Sequence, residues 1–238
     1  MLAIFKREMR SYFTTSVGYV FLVCTLLISA FIFWVTTFFS ETCDTSVYYA
    51  GAIFVLMLFL PILTMKSFSE EKKTKTEQLL LTAPISTTQM VMGKFLSSVC
   101  MLAIFLVLSL TFLLPLSAFV VEGSAINVAL VFGNTMALLL VGMCFIAIGI
   151  LVSSMTENQF AAIVVTIVIL LFLFVINLFS SMIETYAIRV VLDWISIFSR
   201  YDYFTYGLFD IAALVYYITI IGVILFLTVR VFESRKYN

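Results

Sequence analysis

The densest group of side chains able to carry charge or exchange protons is Glu70, Glu71 and Glu77, set among Lys66, Lys72, Lys73 and Lys75. Paired carboxylates can act as general acid and base, but Glu and Lys at intervals of three and four, such as Glu71 and Lys75, favour a solvated helix surface of mutually paired charges. The sequence has no histidine, which removes the usual zinc and copper ligand sets and the imidazole base of a hydrolase. Cys24, Cys100 and Cys144 lie in apolar runs and only Cys43 falls in an expected outer loop, so the cysteines read as ordinary thiols without metal-binding or disulfide spacing. Gly93-Lys94 is followed by Phe95 and lacks the upstream glycine of a phosphate-binding loop, so the chain has no such route to ATP. We expect no catalytic residues, no metal and no cofactor bound by this chain.

The elements that must carry these residues are membrane helices. Hydrophobic residues make up 63% of the 238 and charged ones 11%, with a mean hydropathy of +1.20, which places the chain outside the soluble globular range. Zero net charge gives no footprint for a nucleic acid. Apolar runs at 17–39, 48–65, 95–121, 128–152, 160–180 and 211–229 hold no Asp, Glu, Lys or Arg. They are too long and too uniformly apolar for barrel strands, so they predict an all-α protein of six spanning helices in a single membrane domain. The first run is too long for a signal-peptide core and is followed by no convincing cleavage site.

Orientation follows from the basic residues. Lys6, Arg7 and Arg10 precede the first run, Lys66, Lys72, Lys73, Lys75 and Lys94 lie between the second and third, and Arg230, Arg235 and Lys236 follow the sixth, together eleven of thirteen. The positive-inside rule then puts both termini and the 66–94 loop in the cytosol. The loop Ser153 to Gln159 must share that side although it has no basic residue.

Neutral polar groups are sparse in the runs. Thr36, Thr37, Asn134 and Asn177 are the candidate pathway residues, with bonding between helices as the plainer role; Gly142, Ala147, Gly149 and Ser153 read as close-packing positions. No carboxylate of the kind that binds a driving proton or sodium ion lies within the runs.

Three segments outside the runs carry more information. Residues 1–16 predict an interfacial helix, with Leu2, Phe5, Met9, Tyr12 and Phe13 on one face and Lys6, Arg7, Arg10 and Thr14 on the other. Residues 66–94 predict a charged helix ending in Leu79, Leu80 and Leu81, stopped by Pro84, then a second short helix capped by Ser86 and running to Gly93. That arrangement suits docking of a soluble partner or packing on the membrane surface. Residues 181–210, with Tyr186, Val190, Trp194, Ile197 and Tyr201 at helical spacing, predict short helices at or dipping into the outer interface.

The run Glu70-Glu71-Lys72-Lys73 through Leu79-Leu80-Leu81-Thr82-Ala83-Pro84-Ile85-Ser86 to Gly93-Lys94 resembles the signature of ABC-2 type permeases, in the branch of the gliding-motility and nitrous-oxide-reductase-maturation permeases. Tyr206-Gly207-Leu208-Phe209-Asp210, Tyr216-Tyr217 and the tail from Phe226 to Lys236 are similar to the family's last outer segment, final span and end. Lys75 stands where members often have Gly, and Arg200 where they often have His. The resemblance implies one membrane half of an ABC transporter of the prokaryotic cytoplasmic membrane. Two such subunits, identical or sister permeases, would dock two separately encoded ATPase subunits that hold ATP and magnesium. It implies that Glu70, Glu71, Lys72, Lys73, Glu77, Leu79, Leu80, Leu81 and Pro84 couple to the ATPase, that Phe5, Lys6, Arg7 and Arg10 lie near it, and that Tyr186, Trp194 and Tyr201 cap the outer mouth. The expected function is export of a hydrophobic or amphipathic substrate. The alternative is transmission of mechanical work to an extracytoplasmic partner without transport.

Overall fold

Apolar runs can satisfy their backbone groups in lipid only by bonding within themselves. The structure, a computed structural model, describes residues 1–39, 45–74, 86–113, 128–183, 190, 192–194, 196–201, 204 and 210–236, and over these it is all-helical, with no strand. In chain order the helices are α1 (Leu2–Thr14), α2 (Ser16–Phe33), α3 (Ser46–Met65), α4 (Ser69–Lys73), α5 (Thr87–Ser109), α6 (Val128–Met155), α7 (Gln159–Met182) and α8 (Ile211–Lys236). A π-helical turn, Trp34–Phe38, extends α2, and a 3-10 turn, Leu110–Phe112, extends α5. Six of the helices, α2, α3, α5, α6, α7 and α8, are long and apolar enough to cross a membrane. The chain is a multi-pass membrane protein.

The ends of two spans differ from expectation. The third run was expected to begin at Phe95, after a separate short helix, but α5 begins at Thr87 and continues without a break. Ser86 does cap it, accepting a hydrogen bond from the Gln89 amide at 3.3 Å. Gly93 does not end a helix: a Cβ there would lie 3.0 Å from Cγ2 of Ile4, so the glycine is the place where α1 comes close. Similarly, α8 runs past Val229 to Lys236. Cys43, Glu77, Leu79, Leu80, Leu81, Pro84, Tyr186 and Pro115, a proline expected to kink the third run, lie outside the described residues.

The central helix is α6, packed against α3, α5 and α8. Small residues allow this, as their positions suggest. Ala147 is fully buried, a side chain on Gly142 would overlap Leu102, and one on Gly149 would overlap Thr64. By contrast α2 and α7 turn apolar side chains outward, among them Leu27, Phe31, Phe172 and Phe179, as lipid-facing helices do.

Contacts between the helix ends sort the loops by side. The loop between α6 and α7 reaches the segment after α3 through Glu157 and Lys72, 3.3 Å apart. Phe232, near the end of α8, stacks on Phe68 with ring centroids 4.5 Å apart. Those two contacts put the loop that lacks basic residues, and the end of α8, with the Lys-rich segment. At the opposite end the Tyr49 hydroxyl lies 3.1 Å from that of Thr135, joining the start of α3 to that of α6.

The glycines give a direct test of this packing. Gly149→Ala pushes a methyl group into the Thr64 side chain and should cost about 1–3 kcal/mol, whereas Gly222→Ala, with nothing within 4 Å of the new atom, should be neutral or gain up to about 1 kcal/mol from helix propensity. Thermal melts of the two purified variants in the same detergent should therefore move in opposite directions or differ clearly.

Candidate functional site

Lys94 lies two turns inside α5 with its side chain only 2% exposed. An ammonium so far from water needs opposite charge, and it has two carboxylates: Glu71 Oε1 at 2.9 Å and Glu8 Oε1 at 3.4 Å, themselves 16% and 14% exposed. The same two oxygens accept from Arg7 Nη2, at 2.7 Å from Glu71 and 2.8 Å from Glu8. Two cations and two anions therefore close a cluster of zero net charge. Lys94 also donates to the Ser67 carbonyl and sits 4.6 Å from the centre of the Phe68 ring. Burial opposes the charge on Arg7, but hydrogen bonds and attraction from Glu8 and Glu71 outweigh it and raise its pKa above the ordinary value.

Local structure explains how residues so distant in sequence meet. In α1 the buried positions Ile4 and Tyr12 and the mostly buried Glu8 fall at intervals of four, forming the stripe that faces α5. The Tyr12 hydroxyl is 3.0 Å from that of Ser98, and burial pushes its pKa up to about 12. At the end of α3 the chain turns through Lys66, Ser67 and Phe68 into α4. Ser153 of α6 holds that turn: its hydroxyl accepts from the Phe68 and Ser69 amides, both at 3.1 Å, and donates to the Met65 carbonyl at 3.1 Å. A hydroxyl has one proton and two lone pairs, so all are used. Between α1 and α4 a polar crevice of about 280 Å³ remains, bordered by Arg7, Ser11, Lys66, Glu70 and Thr74.

The residues expected to dock a partner separate into two groups. Glu70 and Lys73 lie on the outer side of α4, Glu70 3.9 Å from Lys66, and Lys72 is paired with Glu157. Glu71 differs from the solvated surface expected for this group: it faces inward, because Lys94 and Arg7 are there. On α1, Lys6 and Arg10 are exposed and Phe5 is half-buried, while Arg7 belongs to the cluster. The face expected to be apolar is only partly covered, since Leu2 and Phe13 remain exposed. Sequence reasoning passed over Glu8 and took Lys94 for a loop residue. The available signal was a lone lysine amid Val91, Met92 and Phe95, a setting that demands a counter-charge.

At the other end, the residues before α8 enter the bundle. Phe198 packs against Phe145 and Phe174, with centroids 5.8 and 5.4 Å apart. The Tyr217 hydroxyl donates to the Ile197 carbonyl at 2.8 Å, and that of Tyr216 to the Trp194 carbonyl at 2.8 Å. Trp194 is 63% exposed and Tyr201 5%, so the periodic spacing does not place them on one face; the chain from Ser196 to Arg200 is not helical. Arg200 stacks on Trp194 and Tyr216, 5.2 and 4.7 Å from the ring centres.

The candidate pathway residues are all engaged within the chain. Thr36 donates to the Ile32 carbonyl and Thr37 is buried beside it. Asn134 donates to the Leu130 carbonyl and accepts from Tyr201, and Asn177 accepts from Ser196 at 3.0 Å.

Opposed charges at about 3 Å attract by roughly 5 kcal/mol at an effective dielectric near 20, but several kcal/mol per ion are lost on leaving water. The net gain is small; removing one partner is expensive. Lys94→Met should therefore destabilise the protein by about 3 kcal/mol, and adding Glu71→Gln should restore part of the loss. A double-mutant cycle of thermal melts measures this coupling, and additive effects would show that the two side chains do not interact.

Among curated proteins none matches the chain. Residues 61–236, from within α3 to the end of α8, match the family described as ABC-2 family transporter protein. That stretch includes α4, Lys94, the central α6 and the segment before α8, and it is more than half of the sequence: the chain belongs to the ABC-2 family of transporter membrane proteins.

Proposed function

We propose that this chain is the permease half of an ATP-driven exporter of the gliding-motility and nitrous-oxide-reductase-maturation branch, with the end bearing α1 and α4 in the cytosol. Membership of the family implies an ATPase partner in general. Here two copies of a separately encoded ATPase dock on a pair of permeases, identical or sister. Support for the site of coupling is the buried Lys94 cluster, which ties α1, α4 and the base of α5 into one body. Closure of the ATPase pushes on the 66–94 region, and the cluster passes the push to α1, α3 and α5 together. The cargo is hydrophobic or amphipathic, because the candidate pathway residues Thr36, Asn134 and Asn177 are neutral and already hydrogen-bonded within the chain.

Since Glu71 is part of the internal cluster, the docking test uses its exposed neighbours. The double reversal Glu70→Lys with Lys73→Glu should lower the amount of ATPase co-purified by at least about tenfold, as like charges meet across the interface, while the melting temperature of the permease stays unchanged. Normal co-purification with normal ATP hydrolysis would refute docking at α4.

A further inference from the structure

Between α5 and α8 runs a groove of about 480 Å³ that the coupling role does not use. Val91, Met92 and Phe95 form one wall, and Ile221, Leu225 and Val229 the other. Gly222 leaves its middle open: no atom lies within 4 Å of where its Cβ would be. The apolar part ends abruptly at Thr88, Arg230 and Glu233, at the end of the molecule that carries α1.

We infer that this groove binds one acyl chain of an anionic phospholipid, with the phosphate at Arg230. The length fits. From Ile218 to Arg230 the helix rises roughly 18 Å, a little more than half of a hydrocarbon core of about 30 Å, which is one leaflet. The charge fits as well. The Arg230 guanidinium is held over the Phe226 ring, 5.0 Å from its centre, with its side chain 63% exposed. Glu233 takes one of its N–H groups, Nη1 to Oε2 at 2.9 Å, and a guanidinium has five donors. Thr88 lies in the first turn of α5, where the helix dipole also favours an anion. Lys94 is on an adjoining face of the same helix, so a chain seated against Val91 and Phe95 packs on the helix that carries the ion cluster.

The test uses the full chain in nanodiscs of phosphatidylcholine and phosphatidylglycerol, with a photoreactive diazirine on the acyl chain of one lipid or the other. Labelled peptides should come from α5 and α8, with phosphatidylglycerol favoured over phosphatidylcholine by about fivefold at equal mole fraction, the effect of one basic group at an anionic lipid. Arg230→Gln should bring that ratio to about one while labelling by phosphatidylcholine persists. Gly222→Leu should remove labelling by both lipids without lowering the melting temperature, since the added side chain fills the groove and meets no protein atom at its root. Equal labelling of the unaltered chain by the two lipids would overturn the proposal. So would the absence of label together with efficient cross-linking of Gly222→Cys between two copies, which would mean that a second permease covers the groove.

Discussion

A lysine ammonium moved out of water must meet negative charge or lose its proton, and much of the basic end of this protein is arranged around that need. Lys94 is fixed in α5, so the carboxylates must come to it, one from α1 and one from α4. Arg7 then balances the second negative charge. Because each carboxylate oxygen is shared by both cations, no member can be withdrawn without leaving a charge poorly compensated. The amphipathic helix α1 is therefore a structural part of the bundle.

The same end depends on a second device of a different kind. Where α3 finishes, its last carbonyls and the amides of the next turn need partners, and Ser153 supplies three hydrogen bonds at once. One turn earlier on α6, Gly149 lets Thr64 come close. The turn so held presents the Ser67 carbonyl and the Phe68 ring to Lys94. Phe68 is also the residue on which Phe232 of α8 rests, so the cluster has a packed contact to the last span.

The number of spans, the helical class and the small packing residues of α6 were legible from composition and spacing, because lipid imposes a simple rule: long apolar runs become helices, and helices touch where side chains are small. The start of α5 was not. Thr87 to Gly93 is polar enough to read as a separate short helix capped by Ser86, whereas it continues through Lys94 as the first turns of the span, packed on Ile4 and Glu8. In the same way Glu71 is indistinguishable from Glu70 by type or neighbours; which of them turns inward depends on where Lys94 lies, and that is tertiary information. The aromatic spacing of the segment before α8 gave short helices but not their relative orientation, for a related reason. Periodicity reports one face only along one unbroken helix: Val190, Leu192 to Trp194, Tyr201 and Phe204 are helical as expected, but Ser196, accepting from the Phe198 and Ser199 amides, sets a turn between them.

The way α6 is tied to α3 limits how a force applied at α4 can travel. At one end Ser153 and Gly149 hold the last turn of α3, and at the other Tyr49 binds Thr135 and the Val131 carbonyl. A helix fastened to its neighbour at both ends cannot slide along it without breaking several bonds, each worth about 1 kcal/mol or more when buried. A push on α4 that moves α3 must therefore move α6 with it. Since Asn134 of α6 bonds to Tyr201, and Phe145 packs on Phe198, that displacement reaches the segment before α8 directly. The connection between the two ends runs through the most buried helix of the fold, and the polar residues it uses, Asn134, Thr135 and Ser153, are all neutral.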